Sequence, residues 1–293
     1  MKNLIVNADD LGWTVGVNRG IVEAHRKGLV TSTSLLANGQ AFAAAAEIRR
    51  SYPELGIGVH LNLSDGPPTA PTQEVNGLLG KSGGMEDAPV GLLMKIAGRS
   101  LRIAEVEREW DAQVEKVRDA GIHPTHLDGH KHVHMLPGLF EVALRVAKRY
   151  KIRAIRVAHE ESTLRAALAT GDQPRGVAFK QGVRARGLKL LARGAREMAE
   201  HAGIATTDYF CGIAQTGVLT REGLERLLEI LPEGTTELMC HPGYADAELQ
   251  NTRTRLQESR QTELQILTDA GIRKLVATQG IRLISYKLAA GEG

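Results

Sequence analysis

Residues 125–134 read THLDGHKHVH, and they hold four of the chain's ten histidines, His126, His130, His132 and His134, together with Asp128. Folding alone gives no reason to gather so many imidazoles. Neutral imidazole is the commonest protein metal ligand, and it shuttles protons near neutral pH. If the stretch is extended, His126, Asp128, His130, His132 and His134 occupy alternate positions and line one face. Its flanks suggest a βα unit: Pro124–Leu127 enter as a strand, and Pro137 opens a helix where a missing N–H costs little. At least one of these histidines is expected to hold a metal, and the others to support a ligand or to pack.

The same rhythm runs outward in both directions. Leu4–Ala8 reads as a buried strand followed by a helix near Val15–Lys27. Strands are expected at Thr31–Leu36 and Ile57–Leu63, with an Ala-rich helix around Ala41–Arg50 between them. A long helix over Ile103–Ala120 is predicted from Val106, Trp110, Val114 and Val117 at helical spacing. Further strands are expected at Ala154–Val157, Thr207–Phe210 and Thr236–Cys240, with a last one within Lys274–Tyr286. Some seven to eight such units fit a parallel barrel or a doubly wound sheet. The chemistry separates the two: Asp9–Asp10, His60, the histidine cluster and His241 each end a different strand, where a (β/α) barrel collects its active site. An α/β barrel over a single domain, 1–293, is therefore expected.

Bulk properties are those of an ordinary soluble globular protein. A chain of 293 residues with net charge +3 gives no electrostatic argument for nucleic acid. Cys211 and Cys240 do not make a disulfide framework. The N-terminus turns acidic too early for a signal peptide, and no run is long enough to span a bilayer, so a cytoplasmic location is expected. Two segments interrupt the rhythm. One is a Gly/Pro-rich loop insertion near 65–100 over the barrel mouth. The other is a basic helical insertion near 162–203, whose Arg165–Arg196 stretch holds eight Lys/Arg and one acid. It reads as a solvated helical face, and peripheral contact with anionic lipid stays open. A homodimer is compatible with the sequence, though no interface is readable.

Several strand ends carry reactive groups. Asp9 and Asp10 are adjacent carboxylates, which raise each other's cost of ionisation unless a cation or hydrogen bonds compensate. One reading makes an Asp a turn or cap residue. The other divides the labour, with one carboxylate holding a metal and its neighbour accepting a proton from water. His60 sits in an apolar run, and His241 is presented by the strand-stopping Pro242-Gly243. Trp13 follows the aspartate pair, where its aromatic face could meet a ligand or simply pack. Nucleophile-elbow, Walker and dinucleotide motifs are missing, and no Cys-x-x-Cys pair is present.

NADDLG at 7–12, VTSTSLLANG at 30–39, GVHLNL at 58–63, THLDGHKHVHM at 125–135 and ELMCHPGY at 237–244 resemble the YdjC-like (ChbG/HpnK) carbohydrate deacetylases. The resemblance runs from residue 3 to about 286. It implies a distorted (β/α) barrel related to the NodB-type polysaccharide deacetylases, with one divalent metal. Carried over by motif, Asp10, His60 and His130 would be the metal ligands, Asp9 the base and His241 the general acid. In the NodB pattern the metal histidines lie four residues apart. Here Ser64 stands four after His60, so the second histidine must come from the later cluster.

The resemblance thus implies a metal-dependent N-deacetylase that releases acetate from an acetylated amino sugar. Asp128, His126, His132, His134 and Trp13 would be supporting or substrate-binding residues. His and carboxylate donors admit magnesium or zinc, and also manganese, cobalt or nickel. The alternatives are another metal-dependent barrel hydrolase, acting on phosphoesters or cyclic amides, and a non-catalytic sugar-binding homologue.

Overall fold

The computed structural model describes residues 1–85, 88–169, 192 and 194–289. Its centre is β1 (Lys2–Leu11), an apolar run too hydrophobic for an exposed edge. On one side β1 pairs in parallel with β6 (Gly234–Cys240), from Lys2↔Gly234 to Ala8↔Cys240. On the other it pairs near its top with β2 (Ser32–Leu35) and at its base with β7 (Arg282–Leu283). Beyond β2 come β3 (Gly56–Leu61) and β4 (Leu127–Gly129), and beyond β6 comes β5 (Tyr209–Cys211). All ladder pairings are parallel.

Single-residue bridges join the two ends of this path. Ile155 bridges Leu127, Ala154 bridges Ala205, and Glu160 bridges Phe210. Together they close the sheet into a distorted parallel α/β barrel. The strand expected at Ala154–Val157 is thus reduced to bridges, because successive residues bond to different neighbours. Arg156 N–H donates to Leu127 O, whereas Ile155 N–H donates to Ala205 O. The last strand, expected within Lys274–Tyr286, is Arg282–Leu283, after the helix Ala270–Thr278.

The helices follow the apolar spacing. α1 (Val15–Lys27) starts at Thr14, whose hydroxyl accepts from Val17 N–H. Gly20 brings α1 against the loop after β6, since a Cβ there would lie 2.5 Å from Gly243 Cα. α2 (Phe42–Ser51) connects β2 to β3, and α3 (Pro89–Ala97) lies within the mouth insertion. α4 (Ile103–Asp119) buries Val106, Trp110, Val114 and Val117 completely. Each contributes on the order of 1.5–3 kcal/mol.

The same helix also buries carboxylates that anchor the insertion. Glu109 accepts from Thr69 and Ala70 N–H, and Glu105 from Gly77 N–H. The mouth loop is therefore fixed at its base. Helices Ser162–Leu168 and Ala195–Ala202 border the basic insertion. The remainder of Arg165–Arg196, apart from residues 165–169, 192 and 194–196, lies outside the described residues. Among the described residues no helix is long and apolar enough to cross a membrane.

Candidate metal and hydrolytic site

The two carboxylates of β1 turn toward the same place. Asp10 has φ 73°, and the pairing with β2 slips between Ala8 and Leu11. This bulge overrides the usual alternation of strand side chains. As a result His60 Nε2 lies 3.9 Å from Asp9 Oδ2 and 3.6 Å from Asp10 Oδ1.

His60 stands on β3 directly opposite Asp128 on β4. Its Nδ1 lies 2.7 Å from Asp128 Oδ1, so that nitrogen carries the proton and Nε2 faces Asp10. Burial alone would lower the pKa of His60. Asp128, Asp9 and Asp10 outweigh it and raise the value to about 9. In the metal-free site His60 is thus an imidazolium, and a cation bound at Asp10 and His60 would displace its proton.

His130 follows β4. Its Nδ1 lies 3.0 Å from Asp10 Oδ1, and its ring stands nearly perpendicular to that of His60. Asp10, His60 and His130 each offer a ligand atom, all within 4.8 Å of one another and all buried. Burial disfavours an ionised Asp10, but Arg260 and His130 hold it well below the usual carboxylate range. Arg260 Nη2 lies 2.5 Å from Asp10 Oδ2, which leaves Oδ1 on the side of the two histidines. Two imidazoles and one carboxylate suit a zinc-type or related divalent ion, so the residues fit the implied cofactor.

Asp9 is held differently. Arg156 grips it with Nη1 at 2.8 Å and Nη2 at 2.7 Å, and Asn7 donates at 2.9 Å. The same fully buried guanidinium lies 2.7 Å from Asp128 and 2.7 Å from Glu237. A second group of three ligating side chains, Asp9, His60 and Asp128, shares this corner. Arg156 already neutralises both of its carboxylates.

His241 directly follows β6. Burial holds its ring down to about 4, against the pull of Asp10 and Asp9, so it is neutral at pH 7. Its peptide N–H donates to Glu263 Oε2 at 2.6 Å, and burial raises that carboxyl to about 7.

The extended reading of the histidine cluster ends at Gly129. Lys131 and His132 are left-handed, with φ 53° and 58°, and the segment His130–Met135 coils. Gly129 permits this turn: a Cβ there would lie 2.6 Å from His134 Nδ1. Only His126 and Asp128 therefore share a strand face, and the five side chains do not line one surface. His126 stacks on Tyr286 at 3.9 Å and contacts Ser34, which donates to Asp128. His134 Nε2 donates to Arg156 O at 3.0 Å. His132 packs edge-on against Phe210. These three lie outside the Asp10–His60–His130 group. Trp13 lies 5.2 Å from the His130 ring, in the wall of a cavity of about 280 Å³ shared with Asn38, Asn62, Asp65 and Arg253.

Arg156, Arg260, Asp65 and Glu263 were not singled out from sequence. Arg156 carried a faint signal, a charge inside an apolar strand-like run. Arg260 and Glu263 sit in a polar helix and carried none.

A parallel α/β barrel with a buried Asp–His–His cluster at its C-terminal strand ends defines the class. The chain belongs to the YdjC-like protein family, whose profile matches residues 3–278. It is 32% identical to a carbohydrate deacetylase of Geobacillus stearothermophilus, over 97% of this chain and 96% of that protein. It is 33% identical to a chitooligosaccharide deacetylase of Salmonella paratyphi C, over 97% of each chain. A crystal structure from Enterococcus faecalis V583, of a protein assigned provisionally to cellobiose-phosphate cleavage, superposes with TM-score 0.77 and 29% identity over 98% of each chain.

Proposed function

We propose that this protein is a metal-dependent hydrolase that removes the N-acetyl group from an acetylated amino sugar and releases acetate. The carrying observation is the convergence of Asp10, His60 and His130 beside Asp9, with His241 electrostatically coupled to both aspartates. The names of the relatives support the sugar-deacetylase class. Asp10, His60 and His130 would hold one divalent ion, which when bound lowers the pKa of water and polarises the amide carbonyl.

The chain's own residues divide the rest. Asp9 accepts the proton of the attacking water. Its orientation is fixed by Arg156 and Asn7, so little rearrangement accompanies that transfer. His241 donates to the departing amine. Because its ring is neutral at rest, the proton it gives must reach it during the reaction rather than be stored beforehand. Asp128 keeps the His60 ring in one tautomer, and Arg156 ties Asp128 to Asp9.

One metal is the stoichiometry this site supports, since Arg156 takes the carboxylates of the second ligand group. That weighs against a two-metal phosphoesterase. The test is a screen of N-acetylated mono- and oligosaccharides for acetate release, beside phosphoester substrates. Acetate release from at least one sugar is expected. Phosphate release without acetate would overturn the proposal.

A further inference from the structure

We infer that Asp65, from the loop over the barrel mouth, positions His130, and that the two metal histidines ligate through different nitrogens, His60 through Nε2 and His130 through Nδ1. This rests on the metal reading above. A ligating histidine usually gives its other ring N–H to a carboxylate or carbonyl, which fixes both tautomer and ring orientation. For His60 that partner is Asp128 at Nδ1. For His130 the arrangement is reversed: Nδ1 faces Asp10 Oδ1 at 3.0 Å, and Nε2 lies 3.2 Å from Asp65 Oδ2. That buried nitrogen makes no well-aligned hydrogen bond among the described residues, and Asp65 Oδ2 at 3.2 Å is the carboxylate within reach of it.

Asp65 is built to stay where it is. Its side chain accepts from Ser64 Oγ at 2.9 Å and pairs with Lys131 Nζ at 2.5 Å. Its backbone carbonyl accepts from the side chains of Asn38 and Asn62, each at 2.8 Å. Lys131 adopts a left-handed conformation, φ 53°, that non-glycine residues seldom take, and its ammonium closes back onto Asp65. Asp65 is still 23% exposed and lines the cavity that contains Trp13. The residue therefore joins the substrate side of the mouth loop to a metal ligand.

The test uses the full chain in three forms, wild type, D65N and D65A. Zinc affinity is measured by calorimetry, with long-range proton–nitrogen NMR of the imidazoles before and after zinc. In the wild type, zinc should bind with His60 protonated at Nδ1 and His130 protonated at Nε2. D65A should weaken zinc by about 10–100-fold, and D65N, which keeps an acceptor oxygen, should recover most of that loss. Melting of the metal-free variants separates this from a folding defect, and the wild-type spectrum needs no variant. Zinc on His130 Nε2 would overturn the inference. So would wild-type zinc affinity in D65A with only KM raised, which would make Asp65 a substrate contact. A wild-type protein that binds no divalent metal would overturn the metal reading itself.

Discussion

Replacing Arg156 by methionine removes the guanidinium that three buried acids, Asp9, Asp128 and Glu237, share. Arg156 is 0% exposed, as are Asp128 and Glu237, while Asp9 is 4% exposed. Removing one partner of a buried ion pair costs about 3–5 kcal/mol, because the remaining charge is left uncompensated. Here three acids lose the guanidinium, but Asp128 keeps His60, and a buried acid takes up a proton more readily than it stays charged and unpaired, which limits the loss. A destabilisation of about 3–5 kcal/mol at pH 7.5 is expected, a large share of a typical total of about 5–15 kcal/mol. At roughly 2–4 °C per kcal/mol, the metal-free protein should melt on the order of 6–20 °C lower.

The pH dependence carries the sign. With Arg156 present, burial would raise Asp128, but Arg156 and His60 hold it far below its ordinary value. Its stabilisation is present above the unfolded pKa and disappears as the pH falls. Without the guanidinium, Asp128 loses its main lowering partner and Glu237, already raised by burial, is raised further, so the variant regains stability on acidification. Urea unfolding of both proteins at pH 7.5 and 5.5 measures this. A deficit below about 1 kcal/mol at pH 7.5, or one that grows at pH 5.5, would refute the reasoning.

Two further outcomes are expected. H241A should lower kcat by about 10²–10⁴-fold with zinc affinity unchanged, as for loss of a proton donor; an equal loss of metal affinity would make His241 a ligand instead. The metal-free protein should lose stability on both sides of neutrality. Burial holds His126 at about 3 and His134 at about 4, below an unfolded value near 6.5, so stability falls as the pH drops below 6.5. His60, raised to about 9, contributes stability that is full below 6.5 and lost as the pH climbs through 9. Melting of chelated protein from pH 4.5 to 9.5 checks this, and a melting temperature that rises monotonically to 9.5 would contradict it.

Much of this was legible because the strands are short apolar runs and the reactive residues stand at their ends. β1, β3, β6 and α4 lie within a few residues of where periodicity put them. Asp10, His60 and His130, grouped by family motif, do converge. The cluster's coil from His130 onward was not readable, because two left-handed non-glycine residues override an extended pattern. Nor was the support network. Arg156 reaches three acids from sequence distances that no local pattern encodes, and Arg260 meets Asp10 from a helix 250 residues away. Contacts of that range are products of barrel closure.

The central claim is one metal at Asp10, His60 and His130 driving sugar deacetylation. The direct measurement is acetate release by chelated protein as zinc or magnesium is added back, with bound metal counted in wild type and H130A. The account predicts no acetate without metal, recovery that saturates near one ion per chain, and neither binding nor release in H130A. Acetate release undiminished by chelation, or full activity in metal-free H130A, would contradict it.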